Sequence, residues 1–195
     1  MNASDRTLSQ SRESVKAPAN LVRVPLTRQS TDFTCGVAAL QSVLGFYGED
    51  LREDELTAKL SPNEKDGTDC RKIESYCRES GYQTSLKMGM SIAELTNLID
   101  QGKPVIVLLQ AWADKKLDYG KDWNDGHYVV AIGHDSDNLF FMDPSTLGNY
   151  TYIPRPEFLE RWHDTNGKER LEHFGLCIWK ESGAAYKDGQ VKRMD

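Results

Sequence analysis

The sequence predicts an α+β fold in which N-terminal helices pack against a mainly antiparallel β-sheet. Helical periodicity dominates residues 35–102, where apolar side chains recur every three or four positions. Strand patterns dominate from residue 104 onward, beginning with the continuous apolar run 104–110. Because the later strands follow one another through short turns instead of alternating with helices, antiparallel pairing is favoured.

The first predicted helix begins at or beside Cys35 and ends near Gly48. Its apolar residues follow helical spacing, and Thr34 supplies a residue type common at helix starts. A capping box at Ser91 and Glu94 opens a later helix that runs to Gly102. Between these two, helices are predicted over 51–60 and from the turn at 66–68 to Gly81.

Seven segments have strand patterns: 21–26, 82–88, 104–110, 126–134, 139–143, 150–153 and 175–179. The turn residues 135–138 predict that 126–134 and 139–143 form a hairpin. A helix is predicted over 156–163, and a polar, aromatic loop over 111–126. In that loop Trp112 and Trp123 either wall a peptide groove or pack against the sheet.

Length and composition predict one domain with polar ends. The 195 residues fit a single core, and the expected organisation is a disordered tail at 1–19, a domain at 20–180 and a C-terminal tail at 181–195. With 38% hydrophobic and 28% charged residues, the chain is typical of soluble globular proteins. Residues 1–19 have no apolar stretch of signal-peptide type, so a cytoplasmic location is expected.

Charge and hydropathy limit the classes of partner. No apolar run approaches the roughly twenty residues that a membrane helix needs. The net charge of −6 and the lack of basic clusters argue against nucleic-acid binding. A peptide or protein substrate is therefore expected, and the oligomeric state is left open.

The four cysteines do not suit a disulfide framework or a zinc site. Cys70 and Cys77 lie seven residues apart on a predicted helix, so a rise of about 1.5 Å per residue separates them by roughly 10 Å. The sequence has no Cys-x-x-Cys motif and no paired histidines. Cys70, Cys77 and Cys177 are therefore expected to be buried, inert thiols.

Cys35 stands apart from the other three because of its place at a helix start. Unsatisfied N–H groups and the positive end of the helix dipole stabilise a thiolate there, which makes such a cysteine a candidate nucleophile. Gln29, six residues earlier, is a candidate oxyanion donor together with the N–H of Cys35. The alternatives are a buried inert thiol at Cys35 and a loop-bridging amide at Gln29.

His127 and Asp143 lie on the two strands of the predicted hairpin. A turn near Asp135 places them opposite or diagonal to each other, within roughly 4.5 to 8 Å on one face of the sheet. Asp143 then fixes the tautomer of the imidazole, which exchanges a proton with the thiol. Asp135 and Asp137 are alternative acids, but both lie at the turn, far from His127. The alternative for His127 is a structural histidine, and for Asp143 a turn residue before Pro144.

These residues carry a resemblance to papain-like cysteine peptidases. Gln29, Cys35-Gly36, Gly126-His127-Tyr-Val-Val and Met142-Asp143-Pro144-Ser145 occur in the order of that clan's motifs. The strings Cys-Gly-x-Ala-x-Leu, Gly-His-Tyr-Val-Val and Asp-Pro-Ser most resemble the bacterial double-glycine leader (bacteriocin-processing) peptidases and their stand-alone relatives. The resemblance covers roughly Val24 to Trp179.

The resemblance implies a papain-like fold and a thiol hydrolase that cleaves a peptide or amide bond. Cys35 attacks, Gln29 and the Cys35 N–H hold the oxyanion, His127 shuttles the proton and Asp143 orients the imidazole. This chemistry needs no metal and no cofactor. Two alternatives stay open: an acyltransferase or transglutaminase-like enzyme that passes the thioester to an amine, and a non-catalytic peptide-binding module. Modules of that kind typically lack the cysteine, which this chain retains.

Overall fold

The computed structural model describes residues 15–112, 118–191 and 193, and within them the chain forms five α-helices and eight β-strands. The helices are α1 Cys35–Phe46, α2 Glu53–Leu60, α3 Cys70–Glu79, α4 Ile92–Asp100 and α5 Arg155–Arg161. The strands are β1 Gln83–Lys87, β2 Val105–Gln110, β3 Gly126–His134, β4 Asn138–Met142, β5 Thr151–Pro154, β6 His163–Thr165, β7 Arg170–Glu172 and β8 Gly175–Trp179. A single 3₁₀ turn, Tyr119–Lys121, precedes β3 in the described part of the loop.

Six strands form one antiparallel sheet in the order β1-β8-β2-β3-β4-β5. Every residue of β2 is buried, as expected for its unbroken apolar sequence. Helix α1 is buried along most of its length and packs against β3. The predicted α+β fold, with helices first and an antiparallel sheet second, is confirmed.

Local sequence signals place the helix starts well. α1 begins at Cys35, as predicted. The Ser91 hydroxyl accepts a hydrogen bond from the N–H of Glu94 at 3.2 Å, which confirms the capping box of α4. At α3 the cap is Asp69, whose carboxylate accepts from the N–H of Arg71 at 2.8 Å.

The predicted strand at 21–26 is wrong. The Val22 N–H donates to the Ile132 carbonyl at 2.7 Å, but this is a single backbone bond to β3 among the described residues, so the segment forms no ladder. A β-bulge between Ala131 and Gly133 shifts the β3–β4 register and leaves the Ile132 carbonyl for Val22. Val22 and Val24 are nevertheless buried in the core.

The hairpin of β6 and β7 was not predicted, and residue 163 was assigned to a helix. α5 ends at Arg161, and His163 instead begins β6. Strands of three residues are too short to show a period of two, so the sequence pattern does not reveal them. The side-chain Nε2 of Gln110, at the end of β2, joins this hairpin to the main sheet by donating to the His163 carbonyl and to the Asp164 carboxylate, both at 3.0 Å.

The segment after β8 returns to the end of α1. The N–H groups of Ala185 and Tyr186 both lie 3.0 Å from the Phe46 carbonyl oxygen, and Arg23 pairs with Asp188 at 2.9 Å. The division at 1–19, 20–180 and 181–195 stays a prediction, and residues 1–14, 192, 194 and 195 lie outside the described residues.

Two further findings bear on the class of protein. Within the described ranges, no helix is long and apolar enough to cross a membrane. All four cysteines are free thiols and all are buried: Cys35, Cys70, Cys77 and Cys177.

Candidate active site

Cys35 is the first residue of α1 and is 6% exposed. Thr34 precedes the helix, and its carbonyl accepts the N–H of Ala38 at 3.0 Å. The next position, 36, is a glycine because Thr68 lies directly against the first turn of α1. A Cβ on Gly36 would stand 2.7 Å from the Thr68 Cβ. The Cys-Gly pair thus lets a neighbouring loop close on the helix start while the Cys35 sulfur lies where the first-turn N–H groups favour an anion.

His127 and Asp143 are in direct contact. The imidazole Nε2 donates to Asp143 Oδ1 at 2.7 Å, since an ionised carboxylate can only accept. Oδ1 also accepts from the N–H and the hydroxyl of Ser145, each at 2.8 Å, and Oδ2 accepts from the Thr146 hydroxyl at 2.9 Å. The carboxylate is therefore held on both oxygens, and it fixes which imidazole nitrogen carries the proton.

The second imidazole nitrogen, Nδ1, is buried and has no hydrogen-bond partner among the residues that the structure describes. His127 itself is only 2% exposed. Cys35 is the second group, after Asp143, whose contact favours the protonated ring. Nδ1 is thus left for the thiol or for a substrate atom.

His127 and Asp143 each stabilise the charged form of the other. Burial by itself lowers the pKa of His127, but the hydrogen bond to Asp143 and the interaction with Cys35 raise it to about 9. Burial opposes ionisation of Asp143 too, yet the His127 contact and the Ser145 hydrogen bonds hold the pKa of that carboxyl well below its usual range. Asp143 therefore favours the protonated form of the His127 ring beside Cys35.

Gln29 lies beside the turn that carries Asp143. Its backbone N–H donates to the Pro144 carbonyl at 3.1 Å, and its side-chain Nε2 donates to the Thr31 carbonyl at 2.8 Å. An amide Nε2 carries a second hydrogen besides the one donated to Thr31. The side-chain Oε1 is buried with no hydrogen-bond partner among the described residues, so this amide is not saturated by its own loop.

Trp112 and Trp123 have different roles. The Trp112 ring lies 4.5 Å from the His127 ring between centroids, and the side chain is 47% exposed. Its φ of 53° is uncommon for a bulky residue and marks a strained backbone next to the imidazole. Trp123 packs instead on His163, 4.4 Å away, beneath the guanidinium of Arg170.

Gly126, immediately before His127, lies directly against Asp164 of the second hairpin. A Cβ at position 126 would come within 2.0 Å of Asp164 Oδ2. Burial raises the pKa of Asp164. Sequence reasoning missed this contact. The available signal was Gln110, a polar residue that ends an apolar strand, and its amide holds Asp164 in place.

The alternative residues lie elsewhere. Asp135 caps the hairpin turn by accepting from the N–H groups of Asp137 and Asn138, at 2.8 and 2.7 Å. His134 binds Asp100 at 2.9 Å. Among the described residues no group of three or more His, Cys, Asp or Glu is arranged to hold a metal ion.

The chain is similar to known proteins both in sequence and in structure. A model of the Peptidase_C39 like family matches residues 21–169. The transport/processing ATP-binding protein ComA of Streptococcus pneumoniae is 30% identical over 135 residues, which is 69% of this chain and 17% of that protein. This chain therefore spans less than a fifth of the length of the curated relative.

Three solved structures share the fold. The peptidase domain of Streptococcus ComA superposes with a TM-score of 0.60 at 22% identity, covering 78% of this chain and 96% of that one. A double glycine motif protease from an AMS/PCAT transporter, in complex with its leader peptide, gives 0.58 at 20% identity, covering 83% and 95%. A C39-like peptidase from Bacillus anthracis gives 0.61 at 16% identity, covering 83% and 96%. The chain belongs to the Peptidase_C39 like family.

Proposed function

We propose that the chain cleaves a peptide bond with Cys35 as nucleophile, His127 as general acid and base, Asp143 as the orienting carboxylate and Gln29 as an oxyanion donor. The observation that carries the proposal is the buried His127–Asp143 contact, with Cys35 at a helix N-terminus and with Nδ1 of the imidazole unpartnered within the described part of the chain. A buried imidazolium costs free energy unless it is paired, so this arrangement suits a site that works with a charged ring.

The reaction proceeds in two stages. The Cys35 thiolate adds to the scissile carbonyl, and the oxyanion accepts hydrogen bonds from the Cys35 N–H and from the free hydrogen of Gln29 Nε2. His127 gives its Nδ1 proton to the departing amine, which leaves a thioester on Cys35 and a neutral ring. The ring then takes a proton from water, and the hydroxide hydrolyses the thioester and restores the free thiolate. Asp143 remains ionised throughout and stabilises the imidazolium.

The substrate class that we propose is a peptide with two glycines before the cleaved bond. The reacting side chains Cys35 and His127 are 6% and 2% exposed, and Trp112 covers one side of the imidazole. A scissile carbonyl reaches such buried atoms only when the flanking residues have little bulk, which favours glycine. The solved double glycine motif protease with its leader peptide supports the same substrate class.

The test is cleavage of a peptide library in which the two residues before the cut are Gly-Gly, Ala-Ala or Val-Val. Wild type should release products from the Gly-Gly set first, and Cys35→Ala should release none, as read by mass spectrometry. Adding a primary amine separates hydrolysis from acyl transfer, because capture of the thioester adds the amine's mass to the product. Equal product from wild type and Cys35→Ala would refute the proposed function.

A further inference from the structure

We infer that Glu53, at the start of α2, is a positioning residue that holds the Gln29 loop in the geometry required to bind the oxyanion. This inference rests on the proposed role of Gln29. Glu53 does not belong to the four residues of the proposed mechanism, and its sequence context shows only a charged surface helix.

The loop that carries Gln29 is fixed at its two sides by different elements. On one side the Gln29 N–H donates to the Pro144 carbonyl at 3.1 Å. On the other side the next N–H, that of Ser30, donates to Glu53 Oε1 at 2.9 Å. Residues 31–34 then close a turn by their own hydrogen bonds and lead into α1. The Glu53 carboxylate thus acts on the residue directly adjacent to the oxyanion donor.

The space behind the loop explains why a tether is needed. An open cleft of about 570 Å³ lies between loop residues 30–34 and the first turn of α2. The loop is not packed on that side, so its backbone is free to move toward α2 unless a hydrogen bond spans the gap. Glu53 lines this cleft and spans it.

The position of Glu53 is itself set by the helix that carries Cys35. The side-chain Nε2 of Gln41, in α1, donates to the Leu51 carbonyl at 2.8 Å just before α2 begins. Glu53 is the first residue of α2, where the helix dipole favours a carboxylate. A hydrogen bond to a charged acceptor is stronger than one between neutral groups. The chain of contacts therefore fixes the distance between the Cys35 helix and the Gln29 loop.

The test compares Glu53→Ala with Glu53→Gln and with a matched control, Asp54→Ala. Asp54 lines the same cleft, but its carboxylate bonds Arg52 at 2.7 Å. Glu53→Ala should lower kcat about ten- to a hundred-fold with little change in KM, as small misplacements of a catalytic group do. Glu53→Gln keeps an oxygen acceptor and should retain most of the activity. Asp54→Ala should match wild type.

Two readouts separate positioning from a general loss of structure. Alkylation of Cys35 by iodoacetamide forms no oxyanion, so its rate in Glu53→Ala should equal that of wild type. In the Gln29→Ala background, adding Glu53→Ala should slow cleavage by less than about twofold, because the group that it positions is gone. If Glu53→Ala does not fold, Glu53→Asp, whose side chain is one methylene shorter, takes its place. It should likewise cleave more slowly than wild type while Cys35 is alkylated at the wild-type rate.

The outcomes distinguish the two proposals. Full activity of Gln29→Ala refutes the oxyanion role in the proposed function. A slow Gln29→Ala together with a Glu53→Ala that matches Asp54→Ala refutes the Glu53 inference alone. Parallel loss of alkylation and cleavage in Glu53→Ala, or additive losses in the double variant, also refute it.

Discussion

Replacing Asp143 by Asn tests the charge coupling in the site. The substitution keeps the size and shape of the side chain but removes the negative charge. Ser145 can still donate to an amide oxygen at the Oδ1 position, and the Thr146 hydroxyl, which faces Oδ2, can accept from the amide NH2 instead. The imidazole of His127 loses its ionic partner, so the fold should persist while the protonation of the ring changes.

The expected size of the effect follows from the imidazole. Raising the pKa of His127 from 6.5 to about 9 corresponds to about 3.4 kcal/mol in favour of the imidazolium, or a factor of about 300. Burial works in the opposite direction, and Asp143 is the first of the two groups that overcome it. Without Asp143 the pKa of His127 should fall to 6.5 or lower, and kcat/KM at pH 7 should fall on the order of 10²- to 10³-fold.

The assay is kcat/KM for a cleaved peptide between pH 5 and 10. Wild-type activity should decline as pH rises through about 9, because His127 then loses the proton that makes the pair reactive. In Asp143→Asn the decline should move below pH 7. Asp135→Asn, at the far end of the hairpin, is the matched control and should keep the wild-type profile. An Asp143→Asn enzyme with the wild-type rate and an unchanged alkaline decline would refute the reasoning.

Three more predictions follow from burial and close contact. At pH 6 iodoacetamide should label Cys35 well ahead of Cys77 and Cys177, both fully buried, and equal labelling of the three by mass spectrometry would contradict the nucleophile assignment. Burial raises the pKa of the Cys77 thiol from 9.0 to about 12. Above pH 9 this thiol therefore ionises in the unfolded chain while it stays protonated in the folded one. Its contribution should lower the free energy of unfolding by about 1.4 kcal/mol per pH unit. In urea titrations across this pH range, the free energy of unfolding of Cys77→Ala should fall less steeply with pH than that of wild type. An unchanged slope would contradict the raised pKa of Cys77. Gly126→Ala should lose activity because its Cβ would meet Asp164 at 2.0 Å, and adding Asp164→Ala should partly restore activity. A fully active Gly126→Ala variant would contradict this and show that the hairpin carrying Asp164 can move aside.

The parts of the structure that the sequence predicts are those set by local chemistry. The start of α1 at Cys35 follows from apolar spacing and a capping residue type, both within a few positions. The His127–Asp143 contact follows from one hairpin with a clear turn, together with a bulge in β3 that the sequence does not reveal. Such features depend on neighbours in sequence, so one chain is enough to infer them.

The parts that the sequence does not predict depend on distant partners. The Asp164 contact at Gly126 requires a hairpin of three-residue strands, which carries almost no periodic signal. The hydrogen bond from the Ser30 N–H to Glu53 joins residues 23 positions apart. Because a backbone N–H is the donor, the residue types do not indicate this contact. Val22 contacts β3 by one backbone hydrogen bond at the bulge instead of by a ladder, and local propensity does not contain that difference.

The β-bulge in β3 sets the register that brings the proposed catalytic pair together. Next to the turn His134 pairs with Leu139, but beyond the bulge Val130 pairs with Met142, so one residue is extra on β3. Because side chains alternate between the faces, a regular pairing that included Ile132 would put His127 and Asp143 on opposite faces, and the bulge keeps them on the same face. Deleting Ile132 would remove the bulge and keep the pairs Gly133–Phe140 and Ala131–Phe141, so His127 would stay on the face of Asp143. Cleavage should therefore survive the loss of this one residue, although it lies between the turn and the site.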